Sequence, residues 1–322
     1  LDPILSFQDQ SILSYLLIVM SSSLLIIICL VYFVLIMEKV QTGQVIEFYS
    51  NSCLVKTKFG KFECIAIKNI VVGDFVNLEI IQDSKKFLGK ILKINQRSSS
   101  LTKSYNGKEK LFAANITHVG ILVTPKPKTS TEFIDKWILK TKLSNIEAFI
   151  VNNKIDLNID KEYRDKINTY KNINIKIIDC SAKYGNNLEE LDNYIEGKCV
   201  LFVGNSGAGK STLTSKIIGK DLKTNELSND QGVHTTSISS LYELPGNRKI
   251  IDSPGMRDIE ISEYPKNKII NGFKEILESS KACKFSDCNH IKNEGCNIEK
   301  DLLNSVISKS RYNNFIKFRD HE

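Results

Sequence analysis

The chain of 322 residues carries a formal net charge of +7 and has a pI near 8.8. This length allows two or three compact domains, each with its own core. The positive charge favours a polyanionic partner such as nucleic acid, although a lysine-rich composition alone gives similar values. Of the eight cysteines only three cluster, so the sequence excludes a disulfide framework and indicates a reducing, cytoplasmic setting.

Residues 1–36 contain an uncharged, almost wholly apolar run, Ile12–Ile36, that is long enough to span a bilayer. Aspartates precede the run, where a secretory signal would carry positive charge. Because Met37 opens a plausible soluble domain, we interpret residues 1–36 as an upstream extension that is absent from the working protein. The alternative is an inner-membrane anchor, for which lysines from Lys39 onward favour a cytoplasmic C-terminal side.

Residues 37–124 are predicted to form a small β-barrel, because short apolar runs alternate with turn residues at regular spacing. Five such runs in so short a stretch fit an OB-fold, a common platform for RNA. The predicted strands are Gly43–Phe48, Cys53–Val55, Phe62–Ile67, Asp74–Ile80 and Gly89–Ile94.

A basic stretch, Lys85–Lys110, carries Phe87 and Tyr105 among its lysines. Basic side chains beside aromatic rings suit phosphate contacts and base stacking. The alternative is a solvated barrel face with a mobile loop near Ser98–Ser100. The predicted RNA-contacting residues are Lys90, Lys93, Arg97 and Lys103.

Thr124–Thr129 is predicted to be a linker, after which helical and strand patterns alternate in an α/β domain over residues 125–262. A helix is expected near Thr131–Leu143. Each strand in this domain ends at a polar motif, which is where open α/β sheets bind ligands. The predicted strands are Ala148–Val151, Ile175–Ile178 and Cys199–Val203.

Residues 204–211 match the phosphate-loop pattern in full, with an apolar strand before them and a helix-compatible segment after them. The glycines let backbone N–H groups converge on phosphates at a helix N-terminus, Lys210 neutralises phosphate oxygens, and Ser211 ligates Mg²⁺. The predicted GTP-binding residues of this loop are Gly204, Asn205, Ser206, Gly207, Ala208, Gly209, Lys210, Ser211 and Thr212.

Two further motifs predict a guanine pocket. Asp156 can accept hydrogen bonds from guanine N1–H and its 2-amino group, for which adenine offers no matching donors. One short motif is weak in a chain rich in Asn, Lys and Ile, but the second motif also stands at a strand end and strengthens the prediction. The residues are Asn153, Lys154 and Asp156 in the first motif, and Ser181, Ala182 and Lys183 in the second.

Asp252 is placed to hold Mg²⁺ through water, and the Gly255 N–H to contact the γ-phosphate. Thr236 is expected to ligate Mg²⁺, and His234 either positions the attacking water or is a solvated bystander. Met256 stands where Ras-like enzymes carry a water-orienting glutamine, so intrinsic hydrolysis should be slow. The predicted catalytic residues are His234, Lys210 and Thr236, and the predicted magnesium ligands are Ser211, Thr236 and Asp252.

The order of these motifs is unusual, because the base-reading motifs precede the phosphate loop, which comes first in Ras-like GTPases. Domain termini usually lie close together at the surface, so old ends can be joined and new ends opened while the loops keep their places. The order therefore predicts a circularly permuted GTPase.

Three thiols and an imidazole cluster in the C-terminal region, residues 263–322, which is predicted to be mainly helical. Four soft or borderline ligands at short spacing suit a closed tetrahedral Zn²⁺ site without an open position for catalysis. We predict one structural zinc per chain. The predicted ligands are Cys283, Cys288, His290 and Cys296.

From residue 37 to about 322 the chain resembles the ribosome small-subunit-dependent GTPase A family of circularly permuted bacterial GTPases. The resemblance rests on the barrel, the permuted motif order, the segment 232–236, Met256 and the cysteine–histidine cluster. It implies GTP hydrolysis stimulated by the small ribosomal subunit late in its maturation, with the barrel and zinc module gripping rRNA. Two features depart from the family: the hydrophobic N-terminus, and Asn293-Glu294-Gly295 in place of Glu-Pro-Gly.

The leading hypothesis is therefore a GTPase that acts as an assembly factor on the small ribosomal subunit. A second hypothesis is a nucleotide-gated RNA-binding protein in which hydrolysis is incidental, and a third is a membrane-anchored signalling GTPase that depends on residues 12–36. We expect a monomer, because the sequence has no long exposed apolar or heptad surface.

Overall fold

The computed structural model describes residues 40–83, 86–105, 108–219, 238–253, 259–261, 263–291 and 293–320. The apolar N-terminal segment, residues 1–36, lies outside this part of the chain. Within the described residues, no helix combines the length and apolar character needed to cross a bilayer.

Five strands form a closed barrel near the N-terminus. Their order is β1-β2-β3-β5-β4, with β4 returning to β1, and only β3 and β5 run parallel to each other. Alternate side chains such as Val55, Phe62 and Leu78 fill the interior. The predicted five-stranded barrel is confirmed. The strands are β1 (Val40–Phe48), β2 (Ser52–Thr57), β3 (Gly60–Ile65), β4 (Phe75–Asp83) and β5 (Lys86–Ile94).

One of the residues predicted to contact RNA, Arg97, forms an ion pair with a buried carboxylate inside the protein. Arg97 donates from Nε and Nη2 to the fully buried carboxylate of Asp74, at 2.6 and 2.8 Å. By contrast, Lys90 and Lys93 are exposed on β5, and Lys103 is half-buried. RNA contact by these four residues stays a prediction, but the guanidinium of Arg97 already stabilises the barrel.

A separate two-stranded hairpin, β6 (Ser100–Tyr105) and β7 (Lys108–Ala114), follows the barrel. Neither strand was predicted, because both lie in a polar, lysine-rich stretch that is typical of a solvated loop. Leu101 and Ala113 are fully buried at the base of the hairpin and attach it to the core beneath.

Six strands form the nucleotide-domain sheet, in the order β10-β9-β8-β11-β13-β12. All neighbours are parallel except β12, which runs antiparallel to β13. The predicted domain boundary at residue 124 would assign β8 to the barrel, but β8 is hydrogen-bonded to β9 and β11 of the nucleotide sheet. The domain boundaries themselves stay a prediction. The strands are β8 (His118–Val123), β9 (Glu147–Asn153), β10 (Ile177–Cys180), β11 (Cys199–Val203), β12 (Ser239–Leu244) and β13 (Arg248–Asp252).

Helices cover both faces of this sheet, so β8 and β11 are buried along their whole length. The helices α1 (Thr131–Leu143) and α2 (Lys161–Asn172) pack on one face, and α3 (Leu188–Tyr194) and α4 (Lys210–Ile218) on the other. The side chain of Ser130 accepts a hydrogen bond from Phe133 N, and this cap starts α1 at the predicted residue.

The barrel and the nucleotide sheet share backbone hydrogen bonds. The end of β1 pairs with β12, with Glu47 opposite Ser240 and Phe48 opposite Ser239. The two units therefore form one continuous sheet of eleven strands.

The C-terminal region is helical, as predicted. Ile269, Phe273, Phe315 and Phe318 form its small core. The elements are α5 (Lys266–Ile269), a 3₁₀ turn (Ile270–Gly272), α6 (Lys274–Ser280), α7 (Asn297–Leu303) and α8 (Lys309–Asp320).

A buried polar network joins α8 to the nucleotide domain. The side chains of Arg311 and Asp135 are 1% and 0% exposed, and Nη1 of Arg311 lies 2.5 Å from Asp135 Oδ1. Tyr170 and Asn314 also donate to the Asp135 carboxylate, and Nε of Arg311 lies 2.5 Å from Glu275 Oε1. Burial raises the pKa of Asp135, while the charge of Arg311 and these hydrogen bonds oppose that rise.

We expect Arg311→Met to lower the free energy of unfolding by about 3–5 kcal/mol, because it leaves two carboxylates without their buried cation. The control Lys281→Met removes only an exposed pair with Glu278 and should cost less than about 1 kcal/mol. Urea unfolding of both variants measures the difference, and equal midpoints would contradict the prediction.

Candidate functional site

The polar motifs meet at one edge of the nucleotide sheet. Parallel strands end at the same edge, and β9, β10, β11 and β13 are each followed there by a predicted motif. The described motif residues are therefore neighbours in space despite their permuted order in the chain.

The side chain of Asn153, at the start of the first base-reading loop, contacts both the second base-reading loop and the phosphate loop. Its buried side chain donates from Nδ2 to the Ala208 carbonyl at 2.9 Å and accepts from Ala182 N at 3.0 Å. The Cys180 thiol lies 3.7 Å from Asn153 Oδ1, and burial raises the pKa of that thiol to about 12, so it stays protonated and can donate. The base-reading loops and the phosphate loop are thus held together by one amide.

Lys154 bridges the phosphate loop and a segment that we predicted to be a linker. Its Nζ donates to the carbonyls of Gly207, at 2.6 Å, and Lys126, at 2.8 Å. Lys126 lies in Thr124–Thr129, and the linker prediction is wrong, because this segment is a tight turn whose two threonines are buried. The position of this segment directly after the apolar strand β8 could have indicated a loop at the ligand-binding edge of the sheet.

Asp156 is exposed, and one of its oxygens accepts a hydrogen bond from the buried Ser181 hydroxyl at 2.5 Å. A carboxylate has about four acceptor positions, so this contact orients the group and leaves capacity for two donors of a guanine edge. Lys183, in the same loop as Ser181, is exposed, with Nζ 5.0 Å from the centre of the Tyr184 ring.

The phosphate loop turns from β11 into α4. Gly209 has φ +91°, and a Cβ there would lie 2.6 Å from Asn153 Nδ2, so the loop requires glycine at this position. The first N–H groups of α4 have no partners within the helix, which suits an anion. Gly204 and Ala208 are buried, and the more accessible loop residues are Asn205, Ser206, Gly207, Ser211 and Thr212.

Lys210 and Asp252 form an ion pair across the site, with Nζ 3.1 Å from Oδ1. Lys210 is the first residue of α4, and Asp252 is the last residue of β13. The pair places the predicted phosphate-binding cation beside a predicted magnesium ligand. The other predicted residues of this part, His234, Thr236 and Gly255, lie outside the described residues.

The predicted metal ligands come together in the C-terminal region. The ligand atoms of Cys283, Cys288, His290 and Cys296 all lie within 4.8 Å of one another, and Cys283 Sγ is 3.7 Å from His290 Nδ1. Tetrahedral bonds of about 2.0–2.3 Å imply ligand separations of about 3.5–3.8 Å, so the cluster can hold a metal ion with only small shifts.

Two side chains of α8 donate hydrogen bonds to backbone carbonyls of the loop that carries the predicted metal ligands. Tyr312 donates to the His290 carbonyl at 2.7 Å, and Arg319 donates to the Asn289 carbonyl. Burial and the charge of Arg319 lower the pKa of His290, which keeps its imidazole in the neutral form that binds metals.

Comparison with known proteins identifies the family. The RsgA GTPase family profile matches residues 94–262. Small ribosomal subunit biogenesis GTPase RsgA 2 of Bacteroides thetaiotaomicron is 32% identical over 86% of this chain and 90% of its own length. A relative named Small ribosomal subunit biogenesis GTPase RsgA, from Flavobacterium psychrophilum, is 34% identical over 86% of this chain and 88% of its own length. The chain belongs to the RsgA GTPase family. It is a GTP hydrolase, and the predicted family resemblance is confirmed.

Solved structures agree with this assignment. The crystal structure of YjeQ from Thermotoga maritima matches with a TM-score of 0.69 and 29% identity, over 88% of this chain and 98% of that chain. The structure of YloQ, described as a circularly permuted GTPase, matches in fold with a TM-score of 0.66 at 21% identity, over 88% of this chain and 94% of that chain. The predicted fold class, a barrel, a permuted GTPase domain and a helical C-terminal region, is confirmed.

We expect Asp156→Asn to weaken GTP binding by about 2–4 kcal/mol, because the variant replaces a charged acceptor with a donor opposite the guanine 2-amino group. Xanthine carries a carbonyl at that position, so the variant should bind XTP better than the wild type does. Titration calorimetry with GTP, XTP and ATP measures these affinities.

The matched control is Asp165→Asn, an exposed aspartate of α2, which should bind GTP as the wild type does. Equal affinity of the wild type for ATP and GTP would contradict the guanine pocket.

Proposed function

We propose that this GTPase acts in the biogenesis of the small ribosomal subunit, with hydrolysis stimulated by the subunit and with rRNA bound by the barrel. The observation that supports this proposal is the pairing of β1 with β12. Through this pairing the basic barrel is bonded to β12, and β12 is bonded to β13, which ends at Asp252. A shift of the barrel on binding a ligand would therefore reach the nucleotide loops through only two strands. The names of the family relatives point to the same subunit.

In the proposed nucleotide site, Asp156 reads the guanine base and Lys210 neutralises phosphate oxygens. Asn153 and Lys154 hold the loops in register through the contacts described above. Ser211 and Asp252 would hold Mg²⁺, which supplies positive charge to the phosphate oxygens during hydrolysis. Entry of the nucleotide requires Lys210 to exchange its contact with Asp252 for phosphate. The remaining proposed contacts are Ser181, Ala182, Lys183, Gly204, Asn205, Ser206, Gly207, Ala208, Gly209, Thr212, Thr236, His234 and Gly255.

The proposed RNA surface lies on the barrel and hairpin. Lys90 and Lys93 are exposed on β5, and the Phe87 ring at the start of the same strand is 74% exposed. The edge of the Phe87 ring packs against the interior Phe62, with the ring centroids 5.9 Å apart, and we propose the exposed part of the Phe87 ring as a stacking surface for a base. Lys103 on the hairpin extends the positive charge. Arg97 remains a proposed RNA contact, and its pair with Asp74 also supports the barrel beneath this surface.

We propose zinc as the metal held by Cys283, Cys288, His290 and Cys296. Three thiolates and one imidazole are a donor set typical of structural zinc, and four protein ligands leave no position for substrate. The short loop has little apolar core of its own, so binding the ion and folding the loop would be one event.

GTP turnover, measured with and without purified small ribosomal subunits, tests the proposed function. We expect the wild type to be stimulated and Lys210→Ala to lose about 10²–10³-fold in turnover, because the cation that stabilises phosphate charge is removed. The control Lys216→Ala, an exposed lysine of the same helix, should behave as the wild type does. Normal GTP binding without any stimulation would instead favour an RNA-binding protein gated by nucleotide.

Cys288→Ser tests the zinc module. We expect loss of stoichiometric zinc, faster hydrogen exchange over residues 283–296, weaker subunit binding and lower stimulated turnover, while GTP affinity stays near normal. The neighbouring exposed Asp287→Asn should leave all four unchanged. Metal analysis and subunit pelleting supply the measurements, and a zinc-free wild type, or full subunit binding by Cys288→Ser, would refute the proposed module.

A further inference from the structure

The turn Thr124–Thr129 is built as a closed unit. The hydroxyl of Thr124 donates to the Pro127 carbonyl at 2.8 Å, and Thr124 N donates to the Thr129 hydroxyl at 3.1 Å. Both threonines are buried, at 0% and 1% exposure, so water does not compete for these bonds. The turn therefore holds its backbone carbonyls in fixed positions.

One of these carbonyls faces the phosphate loop. Lys154 Nζ lies 2.8 Å from the Lys126 carbonyl and 2.6 Å from the Gly207 carbonyl, so one ammonium links the turn to the loop. Pro127 flanks the same loop residue, since a Cβ on Gly207 would lie 3.6 Å from its ring carbons. An ammonium that binds two carbonyls forms charge-assisted hydrogen bonds, which are about twice as strong as neutral ones.

The far side of the turn is also fastened. Lys166 of α2 donates from Nζ to the Thr129 carbonyl at 2.7 Å. Lys154 follows β9 and Lys166 lies on the next helix, α2, so two lysines from neighbouring parts of the chain hold the turn, and Lys154 also contacts the phosphate loop. The residues of the turn and Lys166 were not part of the predicted site.

We infer that the Thr124–Thr129 turn is a positioning element of the nucleotide site: by holding the Lys126 carbonyl on Lys154, it fixes the phosphate loop and slows release of guanine nucleotide. This inference rests on the proposed nucleotide site. Thr124 and Lys166 are positioning residues, because they act through the turn and through Lys154.

The test is the dissociation rate of a fluorescent N-methylanthraniloyl derivative of GDP, chased with unlabelled GDP. Thr124→Val keeps the shape of the side chain but leaves the Pro127 carbonyl without its donor. We expect release to be about fivefold faster, which corresponds to ~1 kcal/mol. Lys166→Met should speed release in the same direction, and the double variant should fall short of the product of the two effects, because both act on one turn.

Two variants separate positioning from a general loss of stability. Thr141→Val removes an equally buried threonine hydroxyl of α1, which donates to Trp137 and Ile138 carbonyls, and should leave the release rate unchanged at a similar loss of unfolding free energy. Thr124→Ser retains the hydroxyl and should restore slow release. If Thr124→Val does not fold, Thr124→Ser and Lys166→Met are compared with the wild type instead.

Each outcome decides the inference. Wild-type release rates in Thr124→Val and Lys166→Met would overturn the role of the turn and leave the nucleotide site intact. Equal acceleration in Thr141→Val would also overturn it, because stability alone would then set the release rate. A wild-type chain that does not bind the fluorescent GDP would refute the proposed nucleotide site itself, and the assay needs no ribosomal subunit.

Discussion

Parallel pairing of β9, β8, β11 and β13 is the constraint on which the site depends. Strands that run in one direction end at one edge, whatever their order in the chain, so a loop late in the sequence can lie beside an early one. Asn153 therefore reaches Ala208 across the sheet although the base-reading motif precedes the phosphate loop. The permuted order changes which segments follow each motif, and it leaves the chemistry of the edge unchanged.

Helix α1 of the nucleotide domain contacts both the hairpin and the C-terminal region. Lys140 of α1 is almost fully buried, with Nζ 2.6 Å from Glu263 Oε1 and 2.9 Å from Thr102 Oγ1 of the hairpin. A few residues away on the same helix, Asp135 holds Arg311 of α8. One helix of the nucleotide domain thus carries buried polar contacts to the hairpin and to the C-terminal region, and such contacts resist sliding because an unpaired buried charge is costly.

Most elements were predictable from sequence. The barrel strands, α1 and the strand before the phosphate loop are patterns of neighbouring residues, and period and turn chemistry reveal them directly. The hairpin β6–β7 was missed because its few buried residues, Leu101 among them, are separated by polar ones and attach to a core formed elsewhere. The supposed linker Thr124–Thr129 was misjudged because its prolines resemble a spacer, whereas its threonines are buried by the surrounding fold.

The sequence by itself determined the residue types from which the chemistry is predicted: the nucleotide motifs, the cluster of three cysteines and one histidine, and a motif order that indicates circular permutation. These are properties of residue type and local spacing. The tertiary structure alone decided which groups meet, such as Lys154 with the Lys126 carbonyl and Arg97 with Asp74. The physical reason is that such contacts join residues far apart in the chain, and their distances depend on strand register and helix packing, which no local pattern records.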